Sequence, residues 1–154
     1  MGNILDYRTI TFFDVETTHL DPTLGEIIQI AIVTEDRSGK LTEWSTKIKP
    51  RLESGTYHKR ALEINGYNEA AWKDAPSFED VADTIVDKLR WGPLVAHNAA
   101  FDIAFVESCL ERFTRWVKGG RTDINENVFR LGYPVIDTVA LSWMMLPTER
   151  QNLN

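Results

Sequence analysis

Cysteine is nearly absent from the sequence, which contains a single thiol, Cys109, among its 154 residues. One cysteine cannot form an internal disulfide, so a disulfide-stabilised scaffold is excluded and a reducing compartment is favoured. No apolar run approaches the roughly 20 residues that a membrane-spanning helix needs. The first residues also lack the basic and apolar pattern of a signal peptide. From these absences we expect a cytoplasmic protein that does not associate with membranes.

Positive charge is also scarce, because 17 lysines and arginines face 23 aspartates and glutamates, which leaves a net charge of −6. This balance argues against a protein that coats nucleic acid through bulk electrostatics. An enzyme that meets phosphates through bound divalent cations remains possible, because the ions reverse the local sign of charge. Repeats, low-complexity tracts and linkers are absent too. We therefore expect a single domain over residues 1–154, long enough to bury a core.

The first half of the chain contains three apolar, β-branched runs that predict strands. They cover residues 9–15, 26–34 and 41–48, and a polar turn at 36–40 separates the last two. Short connections between consecutive strands favour an antiparallel meander.

The second half alternates helical spacing with short apolar runs. Ser77 is the predicted N-cap of a helix that continues to Leu89, with Asp80 three residues after the cap. We predict further strands at 93–96 and 134–136, helices at 99–113 and from 138 to 145, and a loop or extended hairpin at 115–133. Helices that alternate with strands after a meander predict an α/β fold with a mixed sheet flanked by helices.

Two carboxylates end the first predicted strand. Asp14 and Glu16 are two positions apart, and residues with this spacing point to the same face of a strand. Adjacent anions beside an apolar run are costly unless a cation or a proton offsets them. Such oxygen-rich pairs suit Mg²⁺ or Mn²⁺. The alternative interpretation is a pair of solvated acids at a strand end.

A second polar cluster, HNAAFD, occupies residues 97–102, where a short strand meets a long helix. Asp102 lies in the first turn of that helix, where the backbone dipoles favour a carboxylate. Asn98 is a candidate N-cap. Both residues are therefore explained equally well by helix stability or by a functional site.

The combination of motifs resembles the DnaQ-like (DEDD) exonucleases over residues 9–147. The motifs FFDVETTHLDP, EIIQIAIV, ALEINGY, LVAHNAAFD and VIDT occur in the order and spacing of that family, and HNAAFD favours its histidine (DEDDh) branch. The resemblance implies a ribonuclease-H-like fold. It also implies 3′→5′ hydrolysis of phosphodiester bonds at single-stranded nucleic acid ends, with DNA favoured over RNA, in proofreading or repair.

Specific residues take roles through this resemblance. Asp14, Glu16 and Asp102 become catalytic metal ligands for a pair of Mg²⁺ or Mn²⁺ ions. Asp137 becomes a supporting or helix-capping acid. The pocket for the terminal nucleotide is expected to be lined on one side by Thr17, Thr18 and Leu20 and on the other by His97, Asn98 and Phe101.

The sequence departs from the family pattern in two places. The family carries a final helix with a His followed by an Asp, and no such motif follows VIDT, so we expect a C-terminally truncated fold in which one ion lacks a ligand. These 154 residues alone are then expected to be inactive or severely impaired, unless a partner chain supplies the missing helix. The alternative is a non-catalytic module that binds nucleic acid ends or a polymerase. The second departure is His19, which stands where the family usually has Gly, a residue that permits positive φ.

Basic residues also cluster around the end of the long predicted helix. Arg112, Arg115, Lys118 and Arg121 either guide a nucleic acid strand or form a solvated face.

Overall fold

The computed structural model describes residues 9–90, 92–114, 117–118, 128–129, 131 and 134–145. Seven strands are present within these ranges. They are β1 (Thr9–Thr17), β2 (Ile27–Asp36), β3 (Leu41–Lys47), β4 (Leu94–Ala96), β5 (Val117–Lys118), β6 (Val128–Phe129) and β7 (Val135–Asp137).

Five of these strands form a mixed sheet in the order β3-β2-β1-β4-β7. The first three pair antiparallel, whereas β4 and β7 add in parallel to the other side of β1. The predicted meander and the predicted mixed sheet are therefore confirmed. Because the ends of parallel strands meet at one edge, the residues after β1, β4 and β7 are brought close together.

Within the same described ranges, five helices accompany the sheet. They are α1 (Lys59–Ile64), α2 (Glu69–Trp72), α3 (Phe78–Leu89), α4 (Ala99–Phe113) and α5 (Thr138–Met145). The start of α3 is the predicted capping box, in which Ser77 Oγ accepts from Asp80 N and Asp80 Oδ2 accepts from Ser77 N. The two short helices α1 and α2 were missed, because helices of six and four residues carry too little periodicity to detect. None of the helices in the described ranges is both long and apolar enough to cross a membrane.

The hydrophobic core lies between one face of the sheet and the pair α3 and α4. Phe13 and Val15 of β1 contact the same cluster as Ile85 of α3 and Phe105 of α4. Burial of each such side chain contributes roughly 1.5–3 kcal/mol. Cys109 lies in this core as a buried free thiol, as its place on the apolar stripe predicts, and burial raises its pKa to about 11.

The opposite face of the sheet is left open by the described residues. Phe12 is 41% exposed there. Since side chains alternate along a strand, Asp14 and Glu16 point to this open face, on the same side as Phe12.

The segment predicted as a loop or extended hairpin, residues 115–133, lies largely outside the described residues. Its two short strands, β5 and β6, pair in parallel. A hairpin requires antiparallel strands, so the hairpin interpretation is wrong for these residues.

Candidate active site

The carboxylate pair stands at the carboxyl end of β1. Burial alternates along this strand, so that Phe13 and Val15 face the core while Asp14 is exposed and Glu16 is half-buried. Both acids therefore share one face of the sheet, as their spacing predicts.

The third carboxylate, Asp102, reaches β1 from the first turn of α4. Its Oδ1 accepts a hydrogen bond of 3.0 Å from the backbone N–H of Val15, which lies between Asp14 and Glu16. Asp102 is only 2% exposed, and this contact joins residues 87 positions apart in the chain. Tertiary structure thus brings the third acid beside the first two.

The three acids perturb one another electrostatically. Burial, together with the negative charges of Asp14 and Glu16, raises the pKa of Asp102 to about 6 against the opposing effect of the Val15 N–H. Burial also raises the pKa of Asp14, which the nearby His97 lowers. Burial and the charge of Asp14 raise the pKa of Glu16. Carboxylates that resist ionisation together are the arrangement that a divalent cation relieves.

The donor set fits a hard divalent cation in its chemistry, because it consists of carboxylate oxygens. Within the described residues, however, no three acidic, imidazole or thiol groups stand close enough together to hold a metal ion as they are placed. Asp102 is fixed by its bond to Val15, whereas Asp14 and Glu16 reach solvent. A cation would therefore be held after rotation of the Asp14 and Glu16 side chains toward Asp102.

Asp137 holds the start of α4. Its two carboxylate oxygens accept from the backbone N–H groups of Asn98 and Ala99, each at 3.1 Å, and from Val139 at 2.9 Å. Burial alone would raise the pKa of Asp137, but these backbone donors outweigh it and lower the pKa. The prediction of a helix-capping acid is confirmed, because Asp137 satisfies the first N–H groups of two helices at once.

Asn98 occupies the N-cap position of α4, but its side chain makes no capping hydrogen bond. The capping role assigned to it from sequence is wrong, since Asp137 supplies the acceptors. Asn98 has φ 61°, in the left-handed region, which asparagine tolerates better than most residues. The neighbouring His97 is exposed, and its Nδ1 lies 2.9 Å from Thr138 Oγ1. Both residues lie at the predicted substrate face, and their roles in binding stay predictions.

Thr17 and Thr18 turn their side chains into the protein. Thr17 Oγ1 donates to the His19 carbonyl, and Thr18 Oγ1 donates to the Thr56 carbonyl while it accepts from the Glu26 N–H. These hydroxyls therefore hold the loop that follows β1. Leu20 in this loop is 77% exposed and presents an apolar group to solvent.

Asn65 was missed by sequence reasoning as a residue that shapes the site. Its Nδ2 donates to the Thr17 carbonyl at 2.8 Å, and the His58 N–H donates to the Thr18 carbonyl at the same distance. The segment around α1 is thereby attached to the end of β1. The ALEINGY motif was the available signal, but its spacing alone does not reveal which side chain makes the contact.

His19 does not have the positive φ that its place at a usual Gly position suggested. The positive φ values among the described non-glycine residues belong to Leu52 and Asn98. The His19 ring stacks on His58 with centroids 4.0 Å apart, and its Nδ1 accepts from the Asp21 N–H. A plain turn is thus stabilised by a side chain that glycine lacks.

Phe101 of α4 is half-buried and packs against the core. Its ring lies 4.8 Å from that of Phe105, centroid to centroid, and Phe105 is fully buried. Phe105 in turn lies against Gly25, where an added Cβ would be 3.0 Å from Phe105 Cε1 and 2.6 Å from His19 Cβ. The substrate-binding role predicted for Phe101 therefore depends on a rigid aromatic support.

Arg112 is exposed and makes several hydrogen bonds within the protein. Its guanidinium donates to the carbonyls of Pro22, Leu24 and Gly25, and its Nε donates to Ser108 Oγ. These bonds fasten the loop between β1 and β2 to α4. The guidance of a nucleic acid strand by Arg112 stays a prediction, while Arg115 and Arg121 lie outside the described residues.

We predict that the metal-free chain loses stability as pH rises. Asp102 has a pKa of about 6 when folded and 3.8 ordinarily, so the folded chain binds this proton more tightly than the unfolded chain. The contribution to the free energy of unfolding is complete below about pH 4 and is lost as pH rises through about 6. It amounts to at most about 3 kcal/mol.

Denaturant unfolding at several pH values with a chelator tests this prediction. The difference in unfolding free energy between the wild type and Asp102→Asn should decrease from pH 4 to pH 7, because the variant lacks the titrating group. Parallel curves for the two proteins would contradict it.

Known proteins resemble this chain over nearly its full length. The profile of the family described as Exonuclease (RNase_T) matches residues 11–152. The chain is 32% identical over 148 residues to a protein named DNA polymerase III PolC-type from Thermotoga petrophila, a match that covers 95% of this chain and 10% of that protein. It is 28% identical over 153 residues to the DNA polymerase III subunit epsilon of Buchnera aphidicola subsp. Acyrthosiphon pisum, over 98% of this chain and 57% of that subunit. The chain thus spans less than two thirds of these relatives.

Solved structures share the arrangement of strands and helices. Exonuclease I from Methylocaldum szegediense superposes with a TM-score of 0.67 at 18% identity, over 86% of this chain and 28% of that one. E. coli exonuclease I in complex with a dT13 oligonucleotide gives 0.59 at 19% identity, over 68% of this chain and 24% of that one. At such identities the likeness establishes the fold alone.

Proposed function

Because this chain belongs to the DnaQ-like exonuclease family and has its ribonuclease-H-like fold, we propose that it removes nucleotides from the 3′ end of a single strand. The catalytic carboxylates are Asp14, Glu16 and Asp102. DNA is favoured over RNA because the relatives are named as DNA polymerase III proteins, which also makes proofreading or repair the corresponding role and a polymerase a candidate partner.

The bond between Val15 N–H and Asp102 Oδ1 is the observation that supports this proposal most directly. The negative charge of a carboxylate with a raised pKa, buried beside two others, is costly for folding, because burial and mutual repulsion both penalise it. Such a cost is expected where a cation or a reacting group compensates it.

Asp102 has a different part in the chemistry from that of Asp14 and Glu16. Asp102 is held rigidly by β1, while Asp14 and Glu16 are free to adjust to a cation and to the terminal phosphate. Divalent cations, when bound, activate a water molecule and stabilise the leaving 3′ oxygen. Mg²⁺ or Mn²⁺ is the expected identity, since both prefer carboxylate and water ligands.

The terminal nucleotide is expected between the loop after β1 and the start of α4. Leu20 presents an exposed apolar side chain on the loop side, and Phe101 offers a supported aromatic ring on the helix side. Apolar and aromatic contacts to a base are tolerant of its sequence. His97 and Asn98 are exposed near the acids, where they can contact the sugar and phosphate.

Digestion of a 5′-labelled single-stranded oligonucleotide by the purified chain tests the proposal. With Mn²⁺ or Mg²⁺, products that shorten from the 3′ end and disappear in Asp14→Asn would support it. An RNA oligonucleotide of the same sequence, measured in parallel, tests the preference for DNA. The rate per molecule also tests whether these 154 residues alone are impaired.

A non-catalytic module that binds nucleic acid ends or a polymerase is the alternative. It is favoured by the placement of the acids, which in the described residues do not form a closed metal cage. Binding of the same oligonucleotide with a free or a phosphorylated 3′ end distinguishes the two functions. Discrimination between these ends without digestion supports the module, whereas neither digestion nor binding contradicts both functions.

A further inference from the structure

The outer edge of β3 is an uninterrupted strand edge. β3 pairs with β2 along one side, and no other strand in the described ranges pairs with its second side. Its seven residues contain no proline and no bulge, and Leu41, Glu43, Ser45 and Lys47 are all exposed. An edge with these properties can pair with another strand unless it is blocked.

The hydrogen-bond pattern identifies which backbone groups face outward. The Ile48 N–H donates to the Ile28 carbonyl, and Lys40 O accepts from Asp36 N, so the even-numbered residues of this strand bond to β2. Because the direction alternates, Glu43, Ser45 and Lys47 direct their N–H and C=O groups to the open edge. The Lys49 N–H, which also points outward, is already bonded to the Pro76 carbonyl.

We propose that this edge binds a second copy of the chain through antiparallel β3–β3 pairing centred on Ser45. In this register each Ser45 lies opposite its counterpart, and Glu43 of each copy lies opposite Lys47 of the other. Each Glu43–Lys47 pair and the Ser45–Ser45 pair exchange two backbone hydrogen bonds through groups that face outward.

The charges of Glu43 and Lys47 favour this register over the neighbouring antiparallel registers. A centre at Glu43 would place two glutamates directly opposite, and a centre at Lys47 would place two lysines opposite, which destabilises a sheet. A centre at Trp44 would pair Glu43 with Ser45 and Leu41 with Lys47, without any ion pair. A centre at Thr46 would pair Glu43 with Lys49, but the Lys49 N–H is already bonded to the Pro76 carbonyl and cannot join that pairing. The Ser45 centre is therefore the register that forms two ion pairs, Glu43 with Lys47, through open backbone groups.

The side chains involved are available for this pairing. Glu43 and Lys47 are exposed and share one face of the strand. The Lys47 ammonium lies 4.1 Å from the centroid of the Trp72 ring, a contact that an exposed lysine can share or leave. On the other face, Trp44 of each copy lies opposite Thr46, and aromatic pairs with β-branched residues are favourable across strands.

Pairing in this way continues the sheet and preserves its faces. Opposite residues in a sheet point to the same side, and Glu43, Ser45 and Lys47 share the face of Asp14 and Glu16 through the registers of β2. The two carboxylate sites of the dimer would therefore open on the same side of one ten-stranded sheet, each away from the interface.

Sedimentation equilibrium over a wide range of concentration tests the proposal. The wild type should dimerise reversibly, and Glu43→Lys or Lys47→Glu should each weaken the dimer by about tenfold or more, because both ion pairs become repulsive. Mixing the two single variants should restore association, since every opposite pair in the mixed dimer is again lysine with glutamate. The double variant Glu43→Lys/Lys47→Glu should also dimerise like the wild type.

Lys49→Glu is the matched control. It changes net charge as much as Lys47→Glu does, but Lys49 lies beyond the paired residues, where its N–H is bonded to the Pro76 carbonyl, and its substitution should leave the dimer intact. A wild type that is monomeric at every concentration would overturn the proposal. So would single variants that dimerise normally, a mixture that stays monomeric, or a Lys49→Glu chain that dissociates as readily as Lys47→Glu.

Discussion

Asp102→Asn is expected to lower the rate of 3′-end digestion by about 10³-fold without lowering stability at pH 7. The substitution removes one charge from the proposed cation site, and such ions supply several kcal/mol of transition-state stabilisation. The asparagine Oδ1 still accepts from the Val15 N–H, so the contact between α4 and β1 is retained. Rates on a labelled oligonucleotide, together with calorimetric titration of Mn²⁺, measure the effect.

Asp102→Ala separates the catalytic role from the structural one. It leaves the N–H of the buried Val15 without its acceptor, which costs about 1–3 kcal/mol of stability, whereas Asp102→Asn does not. Both variants should lose activity and Mn²⁺ affinity. An asparagine variant that digests DNA at the wild-type rate would remove Asp102 from the catalytic set.

Phe105→Ala is expected to lower the free energy of unfolding by about 3–5 kcal/mol. Phe105 is fully buried between the sheet and α4, and its ring supports both Phe101 and the loop at Gly25. The cavity left by the ring therefore removes core contacts and also loosens the proposed base-binding side of the site. Denaturant unfolding with a two-state fit measures the loss.

Phe12→Ala is the matched control for this prediction. It removes the same type of side chain, but from β1 on the open face of the sheet, where Phe12 is 41% exposed and less apolar area is buried. Its cost should be well below that of Phe105→Ala. Equal losses from the two variants would mean that Phe105 does not support the core as its burial indicates. Phe105→Leu should recover a large part of the loss, because it refills most of the cavity.

The elements of this fold could be predicted from sequence where local patterns dominate. The helix 99–113 was predicted with its exact bounds because its apolar stripe extends over four turns, and the capping box at Ser77 placed the start of α3. The pair Asp14 and Glu16 was likewise predictable, since alternation along a strand decides the face of a side chain. Short helices such as α1 escape this reasoning, because six residues carry little periodicity.

The partners of polar side chains could not be predicted in the same way. Arg112 belongs to a basic run that resembles a nucleic acid contact, yet its guanidinium donates to the carbonyls of Pro22 and Gly25. These bonds attach the loop between β1 and β2 to α4. Asn98 has the composition of an N-cap, yet Asp137 from the end of β7 supplies the capping oxygens. Each of these bonds joins residues at least 38 positions apart, so neighbouring residues in the sequence do not indicate them.

The sequence by itself determined the strand and helix periods, the pairing of acids on β1 and the family motifs, because all of these depend on neighbours within a few residues. Only the tertiary structure decided that Asp102 bonds to Val15, that Asp137 caps α4 and that one face of the sheet stays open in the described residues. The physical reason is that hydrogen bonds and burial are properties of distance in space. Chain folding sets that distance independently of separation along the sequence.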